Sequence, residues 1–302
     1  MLGSCDQQQP KSGRRISGRW LGCLLWFGLA LATLAAAQAA DPDRQFAGGP
    51  SPGAAARAAP SAPGALQPLA SVFDRRDIMA RAAGVALLKV QAGQGRYYPC
   101  TGFLVESRLL LTNYHCIKDQ ADCQATRITF GYWRDENGKL LDGETFACGQ
   151  FLGGAHALDF ALVSVAGLAD GQSKWPWLPL AANRLAAASP LYILQHPGGA
   201  EMQISGLLSA SGSDGRQTGA TVGFSCGVVQ SLVAKVKNYQ DNSNFSYDCA
   251  TRAGSSGSPV LDQRNCVVGL HHGAGLGGVN LGVLMQVLRP RLTNRPLARQ
   301  CQ

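Results

Sequence analysis

Gly254-Ser255-Ser256-Gly257-Ser258-Pro259 is the stretch that decides how this chain of 302 residues is interpreted. Two earlier stretches belong with it, Leu111-Thr112-Asn113-Tyr114-His115-Cys116 and Ala157-Leu158-Asp159-Phe160-Ala161-Leu162. A serine hydroxyl is a weak nucleophile at neutral pH, so it needs a base to take its proton and an acceptor to orient that base. In chain order, His115, Asp159 and Ser256 supply the base, the carboxylate and the nucleophile. The three stretches therefore predict a catalytic triad.

Two glycines flank the predicted nucleophile. Gly254 and Gly257 permit the tight turn that aims backbone N–H groups inward. An oxyanion that forms during attack on a carbonyl needs hydrogen-bond donors that are already in place. We therefore expect the backbone N–H groups of Gly254 and Ser256 to form an oxyanion hole.

The composition favours a turn-rich, all-β protein. The chain has 37 glycines and 15 prolines, and 46% of its residues are hydrophobic, which is enough for a buried core. Short β-branched or leucine-rich runs separated by Gly, Asn and Asp begin near Val72. They predict strands at residues 84–90, 101–106, 109–112, 128–132, 145–152, 160–165, 191–195, 203–208, 221–224, 246–249, 258–261 and 267–271. This number of strands suits two six-stranded antiparallel barrels. We also expect short helices at residues 77–83 and 283–289.

The first residues of the chain have the pattern of an export signal. Arg14, Arg15 and Arg19 precede an apolar run over residues 20–36, and Ala37-Gln38-Ala39 offers small residues for cleavage. We predict a signal peptide over residues 1–39 and a secreted or periplasmic protein that is free of the membrane after cleavage. The alternative is an uncleaved anchor, because about 17 apolar residues is the lower limit for a membrane span.

Residues 40–71 are predicted to be a linker or pro-segment. This region is dense in Ala, Pro and Gly and has few large apolar side chains, so it cannot bury enough surface to offset its chain entropy. The folded domain is expected over residues 72–302, with barrels at about 72–170 and 185–290. The boundary between the barrels is expected within residues 166–189.

Charge and cysteine usage exclude several classes of function. The formal net charge is +8, but Lys and Arg are neither clustered nor interleaved with aromatic residues, which argues against nucleic-acid binding. Removal of Cys5 and Cys23 with the signal leaves an even number of cysteines, as a disulfide framework requires. None has zinc-site spacing, so we predict no metal and no cofactor. The expected partners of this monomer are protein or peptide substrates.

The three stretches resemble the active-site blocks of trypsin/chymotrypsin-like serine peptidases, most closely those of the bacterial branch that contains the glutamyl endopeptidases. The resemblance covers roughly residues 80–290. It implies a double β-barrel with the active site between the barrels, and His115, Asp159 and Ser256 match the triad positions one by one. The chain departs from the animal enzymes at Ser255, where they carry an aspartate that pairs with a freed N-terminal amine. That activation salt bridge cannot form here.

The resemblance also implies disulfides. In this family a bridge at the positions of Cys100 and Cys116 closes the histidine loop, and Cys123–Cys148 would be the next bridge of the first barrel. Four cysteines remain for the second barrel. Their predicted pairs are Cys226–Cys249 and Cys266–Cys301, with two other pairings left open.

The residues expected to line the specificity pocket argue against a preference for basic residues. Ala250 stands six residues before Ser256, where a trypsin-like pocket carries an aspartate. Thr251 and His271 resemble the threonine and histidine that bind a glutamate side chain in glutamyl endopeptidases. A hydroxyl and an imidazole can both donate to a carboxylate. The alternative is that Thr251 caps a strand end and that His271 lines a pocket of unknown preference.

Taken together, these features predict an exported serine endopeptidase that acts through an acyl-enzyme. One alternative is a catalytically silent binding module that keeps the protease fold. A second is a heat-shock protease with an appended PDZ domain, but only about a dozen residues follow residue 290. His156, His196 and His272 are assigned no chemical task.

Overall fold

A computed structural model describes residues 65–168, 174–211, 217–292 and 300–301. The predicted signal peptide, and the predicted linker as far as residue 64, lie outside the described residues. The strands are β1 (Gln67–Pro68), β2 (Val85–Gln91), β3 (Tyr97–Glu106), β4 (Leu109–Thr112), β5 (Thr126–Arg134), β6 (Leu140–Ala155), β7 (Phe160–Val165), β8 (Leu180–Ala181), β9 (Leu191–Gln195), β10 (Gln203–Ser205), β11 (Leu207–Ser211), β12 (Gln217–Phe224), β13 (Val228–Val233), β14 (Asn244–Tyr247), β15 (Pro259–Asp262), β16 (Val267–Ala274), β17 (Asn280–Leu284) and β18 (Gln300–Cys301). The helices are α1 (Arg76–Ala82), α2 (Gln120–Gln124) and α3 (Met285–Leu292).

The first half of the fold is a closed antiparallel barrel in the order β2-β3-β4-β7-β6-β5. Each of the six strands predicted for this half overlaps one of these elements. Leu88, Leu104, Leu110, Phe130 and Val163 are buried in its core. The barrel encloses these apolar side chains and leaves no free sheet edge.

The second half is a sheet in the order β1-β10-β9-β15-β16-β17-β14-β13, and the short strands β8 and β18 extend it. Strands β11 and β12 form a separate hairpin. The predicted all-β fold with two barrel-like halves is therefore confirmed. The second half differs from a simple six-stranded barrel, because within the described residues it has more strands and its hydrogen bonds do not close it.

The folded chain begins earlier than the predicted start at residue 72. Strand β1 pairs with β10, with Gln67 opposite Ile204, and Leu69 and Val72 are buried against the second half. Helix α1 follows within one residue of its predicted position, and the carboxylate of Asp77 accepts hydrogen bonds from Arg75 and from Asn265 of the β15–β16 turn. The end of the predicted linker is thus part of the domain.

One apolar cluster spans the two halves. It joins Phe103 and Leu111 of the first barrel to Tyr192, Leu194 and Leu270 of the second half. Because interiors are close-packed, this shared core fixes the two halves against each other. The loops that carry the predicted site residues meet along the same junction.

Four disulfides cross-link the domain. They join Cys100 to Cys116, Cys123 to Cys148, Cys226 to Cys249 and Cys266 to Cys301. All four predicted pairs are confirmed, including the two in the second half for which other pairings were left open. Within the described residues, no helix combines the length and apolar character required to cross a membrane.

Candidate active site

His115 and Asp159 are held together by the pairing of two strands of the first barrel. His115 lies in the turn after β4 and Asp159 lies just before β7, and these strands pair with Thr112 opposite Ala161. The imidazole Nδ1 is 2.8 Å from one carboxylate oxygen of Asp159, and the His115 backbone N–H donates to the other at 3.0 Å. Asn113 adds a bond from its amide to the Asp159 carbonyl at 2.8 Å. Asp159 therefore orients both the ring and the backbone of His115.

The environment of Asp159 favours its charged form. Its side chain is 3% exposed, whereas that of His115 is 22% exposed. Burial by itself raises the pKa of Asp159, but the charge of His115 and the hydrogen bonds from it outweigh burial and lower the pKa below its ordinary value. A buried carboxylate that stays ionised can hold an imidazole in one orientation and stabilise its protonated form.

Ser256 lies on a loop between β14 and β15, here called the Ser256 loop (residues 252–257). Its carbonyl accepts a hydrogen bond from the Thr101 N–H at 2.7 Å, which ties it to β3 beside the Cys100–Cys116 bridge. Gly257 has a φ of 85°, and a Cβ on it would overlap the Thr101 carbonyl and the Thr112 hydroxyl. The glycine lets this loop of the second half approach the strands of the first barrel.

The backbone around Gly254 has one defined orientation. The carbonyl of Ala253 accepts from the Gly198 N–H at 2.5 Å, and the carbonyl of Gly254 accepts from the Thr101 hydroxyl at 2.9 Å. Because C=O and N–H point in opposite directions within a trans peptide, the Gly254 N–H points away from the turn at Gly198. Gly254 has a φ of 94°, and a Cβ there would meet the His196 carbonyl at 2.7 Å.

The two predicted pocket residues lie on neighbouring elements, and each is engaged by a residue that the sequence analysis did not assign. The Thr251 hydroxyl is 2.7 Å from the amide oxygen of Asn280, and the Asn280 amide nitrogen donates to the Cys249 carbonyl at 2.6 Å. Since the amide nitrogen faces Cys249, the amide oxygen faces Thr251, and the hydroxyl is the donor. Asn280 therefore holds a predicted pocket residue in place, a contact that sequence reasoning missed.

His271 is fully enclosed and uncharged. Burial lowers its pKa to about 3, and the neighbouring His272 and His115 lower it further, while Asp159 and the carbonyl of Leu281 act in the opposite direction. Its Nδ1 is 2.5 Å from the hydroxyl of Tyr247, which has no other partner in the part of the chain that the structure describes. Burial keeps the pKa of Tyr247 well above its ordinary value, so the hydroxyl donates to Nδ1. The proton of neutral His271 is therefore on Nε2.

His272, which was assigned no task from the sequence, also contacts the predicted triad. Its Nδ1 lies 3.6 Å from Asp159 Oδ2, and its Nε2 lies 2.8 Å from the amide oxygen of Asn244. The ring of Tyr239 packs on it edge to face at 4.6 Å. Successive residues of a regular strand face opposite sides, but the register of β16 shifts between His271 and Gly273, and this bulge is not visible in the sequence.

The remaining histidines and the nearby cysteines lie outside this arrangement. His156 is exposed, and His196 is buried with its Nδ1 3.0 Å from the Ala200 carbonyl. Ligand atoms of His115, Cys100 and Cys116 lie within 4.8 Å of one another. The two sulfurs are bonded to each other, so they do not present the thiolates that a metal ion needs.

Comparison with known proteins identifies the family and supports the fold. The family model for the trypsin-like peptidase domain matches residues 100–270, more than half of the chain. No curated protein sequence matches. Among solved structures, the active form of the Rv3671c protease from M. tuberculosis is similar, with a TM-score of 0.52 and 16% identity over 84% of this chain and 97% of that one.

The inactive form of the Rv3671c protease is similar in the same way. Its TM-score is 0.51 and its identity 16%, over 76% of this chain and 96% of that one. At such identities the likeness shows the shared fold, and the family assignment comes from the sequence match over residues 100–270. This chain belongs to the family of trypsin-like peptidase domains.

Proposed function

We propose that this protein is a serine endopeptidase that uses His115, Asp159 and Ser256. The observation that carries the proposal is the pair of hydrogen bonds between Asp159 and His115. One carboxylate oxygen binds the imidazole Nδ1 and the other accepts from the backbone N–H. The hydrogen bond between the Thr101 N–H and the Ser256 carbonyl supports the proposal, because it joins the Ser256 loop to the barrel that carries His115.

In the proposed reaction, Ser256 Oγ attacks the carbonyl carbon of the substrate peptide while His115 takes the hydroxyl proton. The N–H groups of Gly254 and Ser256 donate to the oxyanion of the tetrahedral intermediate. As the intermediate collapses, the C–N bond breaks and His115 returns the proton to the leaving amine. Water then attacks the acyl-enzyme ester, again with His115 as the base, and releases the second product and free Ser256.

The specificity that we propose is for an acidic residue on the acyl side of the cleaved bond. Two neutral donors would bind its carboxylate, the Thr251 hydroxyl and the Nε2–H of His271. In the substrate-free protein the hydroxyl proton goes to Asn280. A substrate carboxylate would take over these protons, because a charge-assisted hydrogen bond is stronger than the neutral one it replaces.

Export is part of the proposal. The eight cysteines of the described domain are all paired, and such bridges persist in oxidising compartments. Fractionation of cells that express the full chain, followed by N-terminal sequencing, tests this. A mature N-terminus near residue 40 in a cell-free or periplasmic fraction is expected. An intact chain in the membrane fraction would support the anchor instead.

The peptidase proposal is tested with a fluorophosphonate probe and a casein-type substrate on the oxidised mature protein. We expect the wild type to be labelled once and to cleave, and Ser256→Ala to do neither. Ser258→Ala is the matched control, because its buried hydroxyl makes no hydrogen bond within the described structure and lies two residues away. Absence of both labelling and cleavage in the wild type would leave a silent binding module as the better description.

A further inference from the structure

The Ser256 loop rests on buried polar side chains that the proposed reaction does not use. Ser255, the residue before the nucleophile, is 0% exposed. Its hydroxyl donates to the side-chain oxygen of Gln195 at 2.5 Å and accepts from the backbone N–H of Arg252 at 3.2 Å. A fully buried hydroxyl in the nucleophile loop is therefore held by a glutamine 60 residues away in sequence.

The other end of the Gln195 amide is fixed as well. Its nitrogen donates to the Ser205 hydroxyl at 2.9 Å and to the Ala250 carbonyl at 3.0 Å. The Ser205 hydroxyl donates to the same carbonyl at 2.8 Å, so it must accept from the amide nitrogen. The amide therefore has one possible orientation, with its oxygen toward Ser255. Gln195 and Ser205 are both 0% exposed.

This network is bonded to the chain on both sides of the Ala253–Gly254 peptide. Gln195 is bonded to Ala250, just before the loop, and to Ser255, next to the nucleophile. It also ends β9 and leads into the turn whose Gly198 N–H holds the Ala253 carbonyl at 2.5 Å. The peptide between Ala253 and Gly254, whose N–H we propose as an oxyanion donor, is thus fixed by the segment that Gln195 anchors.

The network contains no charged group and no chain terminus. Its members come from β9, β10 and the segment 250–255, so it forms when the second half of the domain folds. A neutral hydrogen-bond network whose donors and acceptors are all satisfied specifies one geometry and avoids the desolvation cost of a buried ion pair. A loop held in this way needs no new N-terminal amine to become ordered.

We propose that Gln195 is a positioning residue for catalysis: it holds the Ser256 loop through Ser255 so that the oxyanion donors are in place in the folded chain without proteolytic activation. The inference rests on the proposed peptidase activity. Gln195 acts through Ser255 and the backbone of the loop and does not touch the substrate. The pocket residues Thr251 and His271 contribute to substrate binding separately.

The first test is the kinetics of Gln195→Leu and Ser255→Ala. We expect kcat to fall about 10²- to 10³-fold, the size of the loss of one oxyanion donor, while KM changes less than about threefold. The affinity for a peptide aldehyde, which forms a tetrahedral adduct, should fall in the same proportion as kcat. The double variant should lose little more than either single one, because both changes break the same hydrogen bond.

Gln67→Leu is the matched control. The Gln67 amide also donates to a backbone carbonyl, that of Leu207, at 2.7 Å, and it does so from the edge strand β1, which pairs with β10. This variant should lose stability while keeping the kcat of the wild type. Melting temperatures of all variants, measured with the disulfides intact, separate loss of fold from loss of positioning.

The outcomes divide clearly. A folded Gln195→Leu protein with wild-type kcat and aldehyde affinity would overturn the inference, as would parallel losses in Gln195→Leu and Gln67→Leu. If Gln195→Leu does not fold, the kcat and aldehyde affinity of Ser255→Ala, which removes a single oxygen atom, are judged by the same criteria. A wild-type protein that neither cleaves nor reacts with a fluorophosphonate would instead end the peptidase proposal itself.

A second test extends the chain at its N-terminus by a neutral tag, and this extended chain should keep the kcat of the mature protein. Activity that appears only after the tag is cleaved off would contradict positioning without proteolytic activation.

Discussion

Asp159 has an imidazole on each side: His115 donates to its carboxylate, and His272 presents an Nδ1 atom 3.6 Å from the same oxygen. The tautomer of His272 follows from a chain of bonds behind it. The Ser243 hydroxyl donates to the Gln240 carbonyl and accepts from the amide nitrogen of Asn244, so the amide oxygen of Asn244 faces His272. His272 therefore carries its proton on Nε2, and its Nδ1 has no proton to give to Asp159. Burial lowers the pKa of His272 to about 4, although Asp159 acts in the opposite direction, and this keeps the ring neutral at pH 7.

The first prediction concerns this tautomer. Asn244→Leu removes the acceptor that holds the proton on Nε2, so His272 can move it to Nδ1 and donate to Asp159. A second donor on the carboxylate weakens its pull on protonated His115, and we expect the acid limb of kcat/KM to move to lower pH. Ser243→Ala, one link further back, should shift it less in the same direction. Acid limbs that coincide with the wild type in both variants would contradict this account.

The second prediction concerns the pocket. Asn280→Asp places a carboxylate against Thr251. This negative charge would repel an acidic substrate side chain and attract a basic one. Cleavage after Glu should fall at least tenfold in kcat/KM, and cleavage after Lys should rise. A peptide library with Glu, Gln and Lys at the cleaved position measures this. His271→Leu should reduce the preference for Glu over Gln without creating one for Lys. Equal rates for Glu and Gln in the wild type would end the acidic-pocket proposal while leaving the peptidase proposal intact.

The third prediction is a loss of stability in mild acid. Burial lowers the folded-state pKa of His196 and His272 to about 4 and that of His271 to about 3, whereas unfolded histidines titrate near 6.5. Below pH 6.5 the unfolded chain therefore binds more protons than the folded one, and the free energy of unfolding decreases as pH falls toward 4. Each histidine contributes a slope of about 1.4 kcal/mol per pH unit within that window.

Denaturant titrations between pH 4 and pH 8 test this slope. His271→Gln should make it shallower, because one of the three protons is no longer taken up on unfolding. His196→Gln should make it shallower to a similar extent. A stability that does not change between pH 6.5 and pH 4.5 would be incompatible with three neutral buried histidines.

The fourth prediction compares two disulfides. Replacing both Cys100 and Cys116 by alanine removes a bridge between residues 16 apart in sequence. Replacing both Cys123 and Cys148 removes a bridge between residues 25 apart. Each should cost about 3 kcal/mol of stability, mainly through the greater freedom of the unfolded chain. Only the first pair should also lower kcat, because Cys116 follows His115 directly and its carbonyl is held by the Tyr98 hydroxyl at 2.7 Å. Equal kcat losses in the two variants would show that the first bridge has no particular effect on His115.

Much of the first barrel could be predicted because its strands carry their own signal. Leu109–Thr112 is buried at every position, and its bounds coincide with the prediction. The second half was less accessible to such reasoning. Strand β17 was missed and its last residues were assigned to a helix, because its packing depends on a residue distant in sequence: the Phe245 ring lies where a Cβ on Gly269 or Gly282 would be. The two glycines leave room for this ring only when β14, β16 and β17 lie side by side, so their role cannot be inferred from the local sequence.

The sequence by itself determined the family and the all-β class, because the blocks around His115, Asp159 and Ser256 and the short apolar runs are local patterns of residue type and spacing. It left other pairings open for the four cysteines of the second half, and the structure decided among them. Only the tertiary structure decided which buried polar groups support those blocks. Gln195 reaches Ser255, Asn280 reaches Thr251, and His272 reaches Asp159 across separations of 60, 29 and 113 residues. A hydrogen bond depends on distances of about 3 Å and on the direction of each donor, and neither is set until distant strands have packed together.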